Sequence, residues 1–468
     1  MENIIQQIAL NLAKEITKKA LSGEISDVDK FSSSTLENCK EAAISIVETI
    51  LLYMNKEIRE DKESRKRLGL VTKERDRPRE LLTELGTIHY QRDYYFNKID
   101  GNYVSPLDSA IGVRPYERIG DSVSAELVSK ATDVSYAKSS DLVTGGTVSR
   151  QTVRNHILRL EVPESPSSDI KKHVCKLHVF ADEDHVAMQK PHKQRGKRNK
   201  IVPLVTVTEG VEPESERRNR TINPKHFVDE HFDTDNLWKS VEGYINLAYD
   251  IDDQTEIFVH GDGGRWIAKG LASFAQTEHV MDGYHLGKRL RGFGKLVGSG
   301  ARQSLEHAIR TNDRRKADRI LQEILAEEKY SDVAEKIKEF AIYIFGNWET
   351  IVDRKTEGMT GSCTEAQVSH VLSKRFSRNP MGWSEEALGK LASVRVFMLN
   401  GGKLSADHFK PGEAHKKYNE YADKLIAENI GGAVDWSLFD VERTTFDLAS
   451  GTQIKIHGLS RINNTLFS

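Results

Sequence analysis

Cysteine is scarce in this chain of 468 residues, which has only Cys39, Cys175 and Cys363. Because the three lie far apart in the sequence, neither a disulfide framework nor a zinc site built on closely spaced thiols is expected. No apolar run approaches the roughly 18 residues that a membrane span needs, and the first residues lack the pattern of a signal peptide. We therefore expect an intracellular protein in a reducing compartment.

An excess of charge of one sign is also lacking, since the formal net charge is −2. Overall charge therefore identifies no class of partner. Hydrophobic residues make up 38% and charged residues 29% of the chain, which is ordinary for a soluble protein with buried cores. The length allows two to four domains.

In the N-terminal part of the chain, the spacing of apolar residues changes once, from helical spacing to a period of two. Apolar residues recur at helical spacing through residues 1–60, and residues 60–79 form a connector rich in arginine and lysine. That connector is interpreted as a solvated linker, with phosphate contact as the alternative. From Gly86 the period is two, with a turn at Asp100-Gly101, which predicts a small β-hairpin region.

Residues 122–160 predict a compact helical segment with the form of a helix-turn-helix. A short helix over 135–143 would end at Gly145-Gly146, and Ser149 would cap the next helix. In TVSRQTVRNHI, Val153 and Ile157 would face inward and four polar residues outward.

These outward residues are of types that pair with base edges in a major groove. The segment therefore predicts DNA binding, although an ordinary pair of packed helices would show a similar polar face. The four candidate DNA-binding residues are Arg150, Gln151, Arg154 and Asn155.

After a proline-containing linker the pattern becomes α/β. Strands are predicted over 174–180, 201–208 and 219–227, followed by a helix, a strand over 257–259, another helix and a short strand ending at Met281. Three antiparallel strands, a helix, a strand and a helix is the order of an RNase H-like fold. Residues 300–350 read as continuous helices, which predicts an all-helical insertion into that fold.

Two acids occupy the ends of predicted strands. Asp182 follows the first strand, and Asp262 follows the fourth within His260-Gly261-Asp262-Gly263-Gly264. The strands would fix the acids, and the glycines would let a large ligand approach the backbone. A turn carrying a solvated aspartate is the alternative interpretation of this motif.

A third acid is expected at Glu365, which starts a helix after the helical insertion; Glu357, Glu385 and Glu386 compete for this role. Three carboxylates brought together by strand ends suit two Mg²⁺ ions, with Mn²⁺ as an alternative, that cleave and rejoin a phosphodiester. Asp184 shares a strand face with Asp182 and is a further candidate metal ligand.

The set ADED, HGDGG and DGYH, followed by an acid after a helical insertion, resembles a DDE-type transposase of a bacterial insertion sequence. The layout is similar to that of the Mutator-like groups, and the resemblance covers residues 86 to about 400. It implies catalytic and metal-binding roles for Asp182, Asp262 and Glu365. It also implies that His285, in the Asp-x-x-His element, lies near the scissile phosphate.

The resemblance further implies partners and location. The expected partner is double-stranded DNA, as the terminal repeats of the element and as its target, bound by a homo-oligomer. No membrane partner is expected, and the location would be cytoplasmic and associated with the nucleoid.

Two basic stretches flank the proposed metal site, where a phosphate backbone would have to lie. The candidate DNA-binding residues in them are Lys193, Arg195, Lys197 and Arg198 in the first and Lys288, Arg289 and Arg291 in the second. A solvated surface is the ordinary explanation of such runs.

The predicted organisation has seven parts. They are a helical region (1–80), a β-hairpin region (81–118), a helix-turn-helix region (119–163), the catalytic domain (169–299), its helical insertion (300–360), its C-terminal helix (361–400) and a tail with a helix and hairpin (401–468). Two alternative functions stay open. One is a two-metal phosphoesterase or nuclease with a histidine-rich site, and the other is a non-catalytic DNA-binding regulator.

Overall fold

The computed structural model describes residues 2–166, 170–189, 198–215, 218–271, 277–352, 363–379, 381–409, 444–447 and 453–456. The protein is a mixed α/β chain that divides into two compact units. One unit contains residues 1–124 with 410–468, and the other contains residues 125–409.

The first unit begins with helices and continues into a small antiparallel sheet. Its N-terminal elements are α1 (Glu2–Leu21), α2 (Val28–Glu60), α3 (Lys62–Arg67), β1 (Leu70–Thr83), β2 (Gly86–Asn97), β3 (Tyr103–Val104) and α4 (Pro106–Ala110). The helices predicted in the first sixty residues are confirmed. Leu51, Met54 and Ile58 of α2 pack with Ile88 and Tyr95 of β2, so the core of this unit lies between that helix and the sheet.

The prediction of a linker over residues 60–79 is wrong, because residues 62–67 are helical and residues 70–79 belong to β1. The many charged residues of this stretch are unfavourable for a strand, so the pattern predicted a linker. In the structure Arg79 is buried and donates to the Asp108 carboxylate at 2.6 Å, whereas Arg75 is exposed. The turn at Asp100-Gly101 does separate two strands, β2 and β3, but the longer hairpin turns earlier, between Thr83 and Gly86.

Three helices come next, namely α5 (Asp121–Ala131), α6 (Tyr136–Thr144) and α7 (Arg150–Arg159). Gly145 ends α6 with a φ of +60°, which glycine adopts without strain. Ser149 caps α7 by accepting from the Thr152 N–H at 3.1 Å, as predicted. Val153 and Ile157 are fully buried, as the pattern indicated.

The second unit is organised around a five-stranded mixed sheet. Its strands and helices up to the sheet's edge are β4 (Lys172–His173), β5 (Lys176–Ala187), β6 (Asn199–Thr208), β7 (Gly210–Ser215), β8 (Arg218–Ile222), β9 (Lys225–Phe227), α8 (Thr234–Ala248), β10 (Tyr249–Asp250), β11 (Glu256–Gly261), α9 (Arg265–Leu271) and β12 (Thr277–Met281). The order across the sheet is β12-β11-β5-β6-β9. β6 is antiparallel to β5 and β9, whereas β11 is parallel to β5 and β12.

The third predicted strand, over 219–227, is wrong in extent. Residues 218–222 form β8, which pairs only with β7 in a separate hairpin, and the short β9 joins the sheet. Asn223, with a φ of +48°, separates the two segments. A single β-rich run in the sequence therefore contains two strands of different sheets.

One face of the sheet forms the main core of this unit. Val179 and Ala181 of β5 and Val259 of β11 pack there against Trp238 of α8 and Ile267 of α9. Because side chains alternate along a strand, Phe180, Asp182 and Asp184 point to the opposite face.

The remaining helices follow the sheet. They are α10 (Gly283–Val297), α11 (Ser299–Arg310), α12 (Arg314–Ala326), α13 (Ala334–Gly346), α14 (Trp348–Val352), α15 (Thr364–Val368), α16 (Lys374–Phe376) and α17 (Glu385–Leu399). Helices α10 to α14 share a hydrophobic core, which confirms the helices predicted over 300–350. A π-helical turn, Ser369–Ser373, joins α15 to α16. In the tail, β13 (Thr444–Asp447) and β14 (Gln453–Ile456) form the predicted hairpin.

Candidate metal centre

Asp182 and Asp262 lie at the same level of adjacent parallel strands. His260 of β11 stands opposite Phe180 of β5, and their rings stack at 4.7 Å. Asp182 follows Phe180 by two residues within β5, and Asp262 follows His260 by two residues, just beyond the end of β11. The strand register therefore places the two residues next to each other at the same edge of the site.

Asp182, His285 and Glu365 converge although they are distant in the sequence. One ligand atom from each lies within 4.8 Å of the others. Asp182 is buried, His285 is half-buried and Glu365 is exposed, so the cluster lies between the sheet and solvent. Glu365 is in the first turn of α15, as predicted, and this helix packs beside β5.

Burial dominates the electrostatics of this cluster. It raises the pKa of Asp182 from 3.8 to about 7, because the charged form loses hydration. The Glu183 N–H, which donates to Asp182 at 2.8 Å, and His285 both oppose that rise. Glu365 and Asp262 add to it, because their negative charges repel the charged form of Asp182.

His285 is held by a carboxylate. Asp282 caps α10 and accepts from the His285 N–H at 3.2 Å, and the Asp282 Oδ2 atom lies 2.7 Å from His285 Nδ1. This hydrogen bond raises the pKa of His285, although partial burial opposes it. With Nδ1 engaged, Nε2 is the nitrogen available to the cluster.

The glycines around Asp262 have a different role from the predicted one. A Cβ atom on Gly261 would lie 2.7 Å from Ile267 Cδ1 and 3.0 Å from the Ala181 carbonyl oxygen. On Gly263, which has a φ of +84°, it would lie 2.7 Å from Asn347 Oδ1. The interpretation of these two glycines as room for a ligand is therefore wrong, because protein atoms fill that space. The Asp262 side chain accepts from the Gly264 N–H at 2.9 Å.

Asp184 is on the same face of β5 as Asp182 but lies outside the cluster. It is buried, and burial raises its pKa, while the nearby Ser377 and Ser373 side chains lower it. Its side chain therefore faces the end of the π-helical turn and the residue after α16. Asp182, His285 and Glu365 form the group whose ligand atoms converge, and that group includes neither Asp184 nor Asp262.

Two buried arginines, which the sequence pattern did not single out, hold this region. Arg395 of α17 donates to the carbonyl oxygens of His370 and Val371 in the π-helical turn and of Thr132 just after α5. Arg375 donates to the Ala131 carbonyl at 2.9 Å. They join the segment after Glu365 to the end of α5. Arg395 stands within the apolar run SVRVFML, and a charged residue inside such a run is a sequence signal that it is buried.

The predicted DNA-binding residues differ in exposure. On α7, Arg150, Gln151 and Asn155 are exposed, whereas Arg154 is half-buried and lies 3.4 Å from the Ser384 hydroxyl. Gln151 donates to Asn155 at 3.0 Å, so each is satisfied along the helix.

The basic stretches are exposed where they are described. Lys288, Arg289 and Arg291 lie on the exposed side of α10, and the Arg289 guanidinium stands 3.9 Å from the Tyr343 ring centroid. Arg198 is exposed. Lys193, Arg195 and Lys197 lie outside the described residues.

Other histidine and tryptophan side chains of this unit make contacts within the protein. His260 is buried, its Nε2 lies 3.1 Å from His178 Nδ1, and burial lowers its pKa to about 3. His185 is exposed and lies 3.7 Å from Glu183. Trp266 donates to Glu183 at 2.9 Å. Trp383 is buried against Phe376 and Tyr136.

A sequence model described as "Uncharacterised protein family (UPF0236)" matches residues 24–412. Three UPF0236 proteins of Caldanaerobacter subterraneus subsp. tengcongensis are 33%, 33% and 32% identical to the chain. The alignments cover 92%, 92% and 93% of this chain and 91%, 91% and 92% of those proteins. The name of the second of these three proteins consists of eleven separate designations joined together.

Among solved structures, the Drosophila P element transposase strand transfer complex matches at 11% identity, over 64% of this chain and 91% of that one. The TM-score is 0.21, which is too low to relate the two folds. Among the described residues, no helix is both long and apolar enough to span a bilayer.

Proposed function

The chain belongs to the uncharacterised protein family UPF0236, and we propose that it is a metal-dependent DNA transposase. One observation carries the proposal: Asp182, His285 and Glu365 have ligand atoms within 4.8 Å of one another, beside Asp262. Two acids and a histidine that are distant in the sequence meet there, and such a group suits metal-assisted cleavage and rejoining of a phosphodiester.

The proposed fold is RNase H-like. The order of the strands across the sheet, β12-β11-β5-β6-β9, supports it. In chain order, β5, β6 and β9 are antiparallel to one another in succession, and β11 and β12 are parallel to β5. Asp182 on the first of these strands and Asp262 beyond the fourth match the places of the first two acids in that fold. The helices between them and Glu365 correspond to an insertion.

The donor set fits Mg²⁺ or Mn²⁺. Asp182, Asp262 and Glu365 would hold the ions, since carboxylate oxygens are the ligands that hard cations prefer. The raised pKa of Asp182 supports this assignment, because a buried carboxyl grouped with other acids is stabilised by added positive charge. Bound there, divalent ions would activate the attacking oxygen and steady the leaving one.

The chain's own residues would position the DNA. His285, oriented by Asp282, would donate from Nε2 to a phosphate oxygen, and its raised pKa favours the protonated ring that such a contact needs. Lys288 and Arg291 on exposed α10 would neutralise the backbone. Arg150, Gln151 and Asn155 of α7 would contact the ends of the element. The joined designations of one relative are consistent with a protein encoded by many copies of one mobile element.

Strand cleavage tests the proposal. The full chain is incubated with DNA carrying its own gene and the flanking sequence, and nicks with free 3′-hydroxyls are mapped in Mg²⁺ or Mn²⁺. Asp262→Asn should abolish cleavage and leave DNA binding intact, whereas Asp318→Asn, an exposed control on α12, should retain both. Cleavage by Asp262→Asn would overturn the assignment. Inverted repeats around the gene would support transposition.

The presence of His285 in the cluster also favours a second candidate, a nuclease or phosphoesterase, because mixed histidine and carboxylate sites suit Mn²⁺, Fe²⁺ or Zn²⁺. The products separate the two functions. A transposase joins the freed 3′-hydroxyl to target DNA, whereas a hydrolase leaves only cut ends and turns over small phosphate esters.

A further inference from the structure

The three-stranded sheet of the first unit has an aromatic face that the proposed metal centre does not use. Tyr95, which alternates with Tyr94 and Phe96 along β2, points to the other face, and that face packs on α2. On the aromatic face, the Tyr94 and Tyr103 rings are parallel with centroids 5.7 Å apart, and Phe96 lies 5.3 Å from Tyr103. Tyr103 is 57% exposed, and the other two rings are half-buried.

Cations surround these rings. The Lys73 ammonium stands 5.5 Å from the centroid of Phe96, and the Arg77 guanidinium stands 5.1 Å from that of Tyr94. Arg75, between them on β1, is exposed.

The acids nearby are already engaged. Glu74 pairs with Arg77 at 3.4 Å, and Asp76 pairs with Arg59. Because each of these acids is matched by an arginine, Lys73 and Arg75 make the exposed charge beside the rings positive. An anionic partner is the one that complements it.

We infer that this aromatic face (Tyr94, Phe96 and Tyr103, with Lys73, Arg75 and Arg77) binds single-stranded nucleic acid. Exposed rings flanked by cations match the two parts of a nucleotide: bases stack on aromatic rings, and phosphates pair with the cations. A duplex keeps its bases stacked inside and is read by polar groups in a groove, which these rings do not supply. An unpaired strand is therefore the favoured occupant.

The inference goes beyond the proposed function and does not depend on the metal centre. Every residue of the aromatic face lies in the first unit, whereas Asp182, Asp262, His285 and Glu365 lie in the second. Each proposal can therefore fail without the other.

The test measures binding of the full chain to a fluorescein-labelled oligothymidylate of about twenty nucleotides, longer than one such surface covers. Fluorescence anisotropy gives the affinity, and a duplex of equal length is the comparison. Tyr103→Ala and Tyr94→Ala remove rings, whereas Tyr103→Phe and Tyr94→Phe keep them. Tyr116→Ala removes a ring that is 97% exposed elsewhere in the same unit and is the matched control.

Each ring-removing variant should weaken oligothymidylate binding about tenfold, since stacking supplies that much per base. The phenylalanine variants and Tyr116→Ala should bind as the unmodified chain does, and duplex binding should not change. Lys73→Gln should weaken binding and reduce its salt dependence.

Photocrosslinking with 5-iodouracil in the oligonucleotide locates the contact independently and should label Tyr94, Phe96 or Tyr103. The inference is overturned if the chain does not bind oligothymidylate, if Tyr103→Ala behaves as Tyr116→Ala does, or if crosslinks fall only in the second unit. Equal loss of duplex binding in the ring-removing variants would show that the face binds DNA generally, which also overturns it. If an alanine variant is unfolded by circular dichroism, the crosslinks decide.

Discussion

Replacing Asp182 with asparagine should stabilise the metal-free protein at alkaline pH. Asp182 is only 7% exposed, and burial raises its pKa from 3.8 to about 7. In the unfolded chain the carboxyl ionises near pH 4, so between pH 4 and 7 the folded state holds a proton that the unfolded state has lost. The free energy of unfolding therefore falls as the pH rises across this window.

Above pH 7 the folded state bears the full free-energy cost of the buried charge. This cost is at most about 4 kcal/mol, because each unit of pKa shift corresponds to about 1.4 kcal/mol. Asparagine is neutral at every pH and does not incur this cost. Asp182→Asn should therefore unfold roughly 5–10 °C higher than the unmodified chain at pH 8 in EDTA, with little difference at pH 4.

The assay is thermal unfolding followed by circular dichroism at both pH values, with and without Mg²⁺. Mg²⁺ at a hundredfold excess over its Kd should stabilise the unmodified chain by about 2.7 kcal/mol and Asp182→Asn, with affinity at least tenfold weaker, by about 1.4 kcal/mol or less. Asp318→Asn, an exposed carboxylate of α12, should behave as the unmodified chain does. A lower melting temperature for Asp182→Asn at pH 8 in EDTA, or equal stabilisation of both proteins by Mg²⁺, would refute this reasoning.

Three further changes follow from contacts at the site. Arg395→Met should lower the free energy of unfolding by roughly 3 kcal/mol or more in urea titrations, because several buried acceptors lose their donor; a loss below 1 kcal/mol would contradict this. Gly261→Ala should cost about 1–3 kcal/mol in the same titrations, because its Cβ would stand 2.7 Å from Ile267; a neutral effect would show that the strand end can shift. Asp282→Asn should lower the pKa of His285, measured by NMR of the imidazole C–H signals, because the hydrogen bond that raises it is weakened; an unchanged pKa would assign the shift to other groups.

Asp182 and Asp262 could be singled out because each ends an apolar run, and the parallel pairing of β5 and β11 places them next to each other. The predicted strand end at Phe180 is wrong, because β5 continues through Asp182 to Ala187. Ser149 could be predicted as a cap because its chemistry is local. In each case the signal is a short sequence pattern with one common structural meaning.

Other features depend on distant partners. β1 could not be predicted because it is rich in charged residues, and the partner of its buried Arg79, Asp108, lies elsewhere in the sequence. Asp184 and Asp182 share one strand face, and only the packing of the helix after Glu365 separates their surroundings. Gly261 likewise is explained by Ile267 and Ala181, which no local pattern indicates.

Manganese binding followed by electron paramagnetic resonance tests most directly whether the convergent acids form a metal centre. The full chain is titrated with Mn²⁺ at pH 8, beside Asp182→Asn, Glu365→Gln and the control Asp318→Asn. The account predicts Mn²⁺ bound by the unmodified chain and by Asp318→Asn, with binding weakened at least tenfold in the other two. Equal affinity in all four proteins, or no Mn²⁺ binding by the unmodified chain, would contradict it.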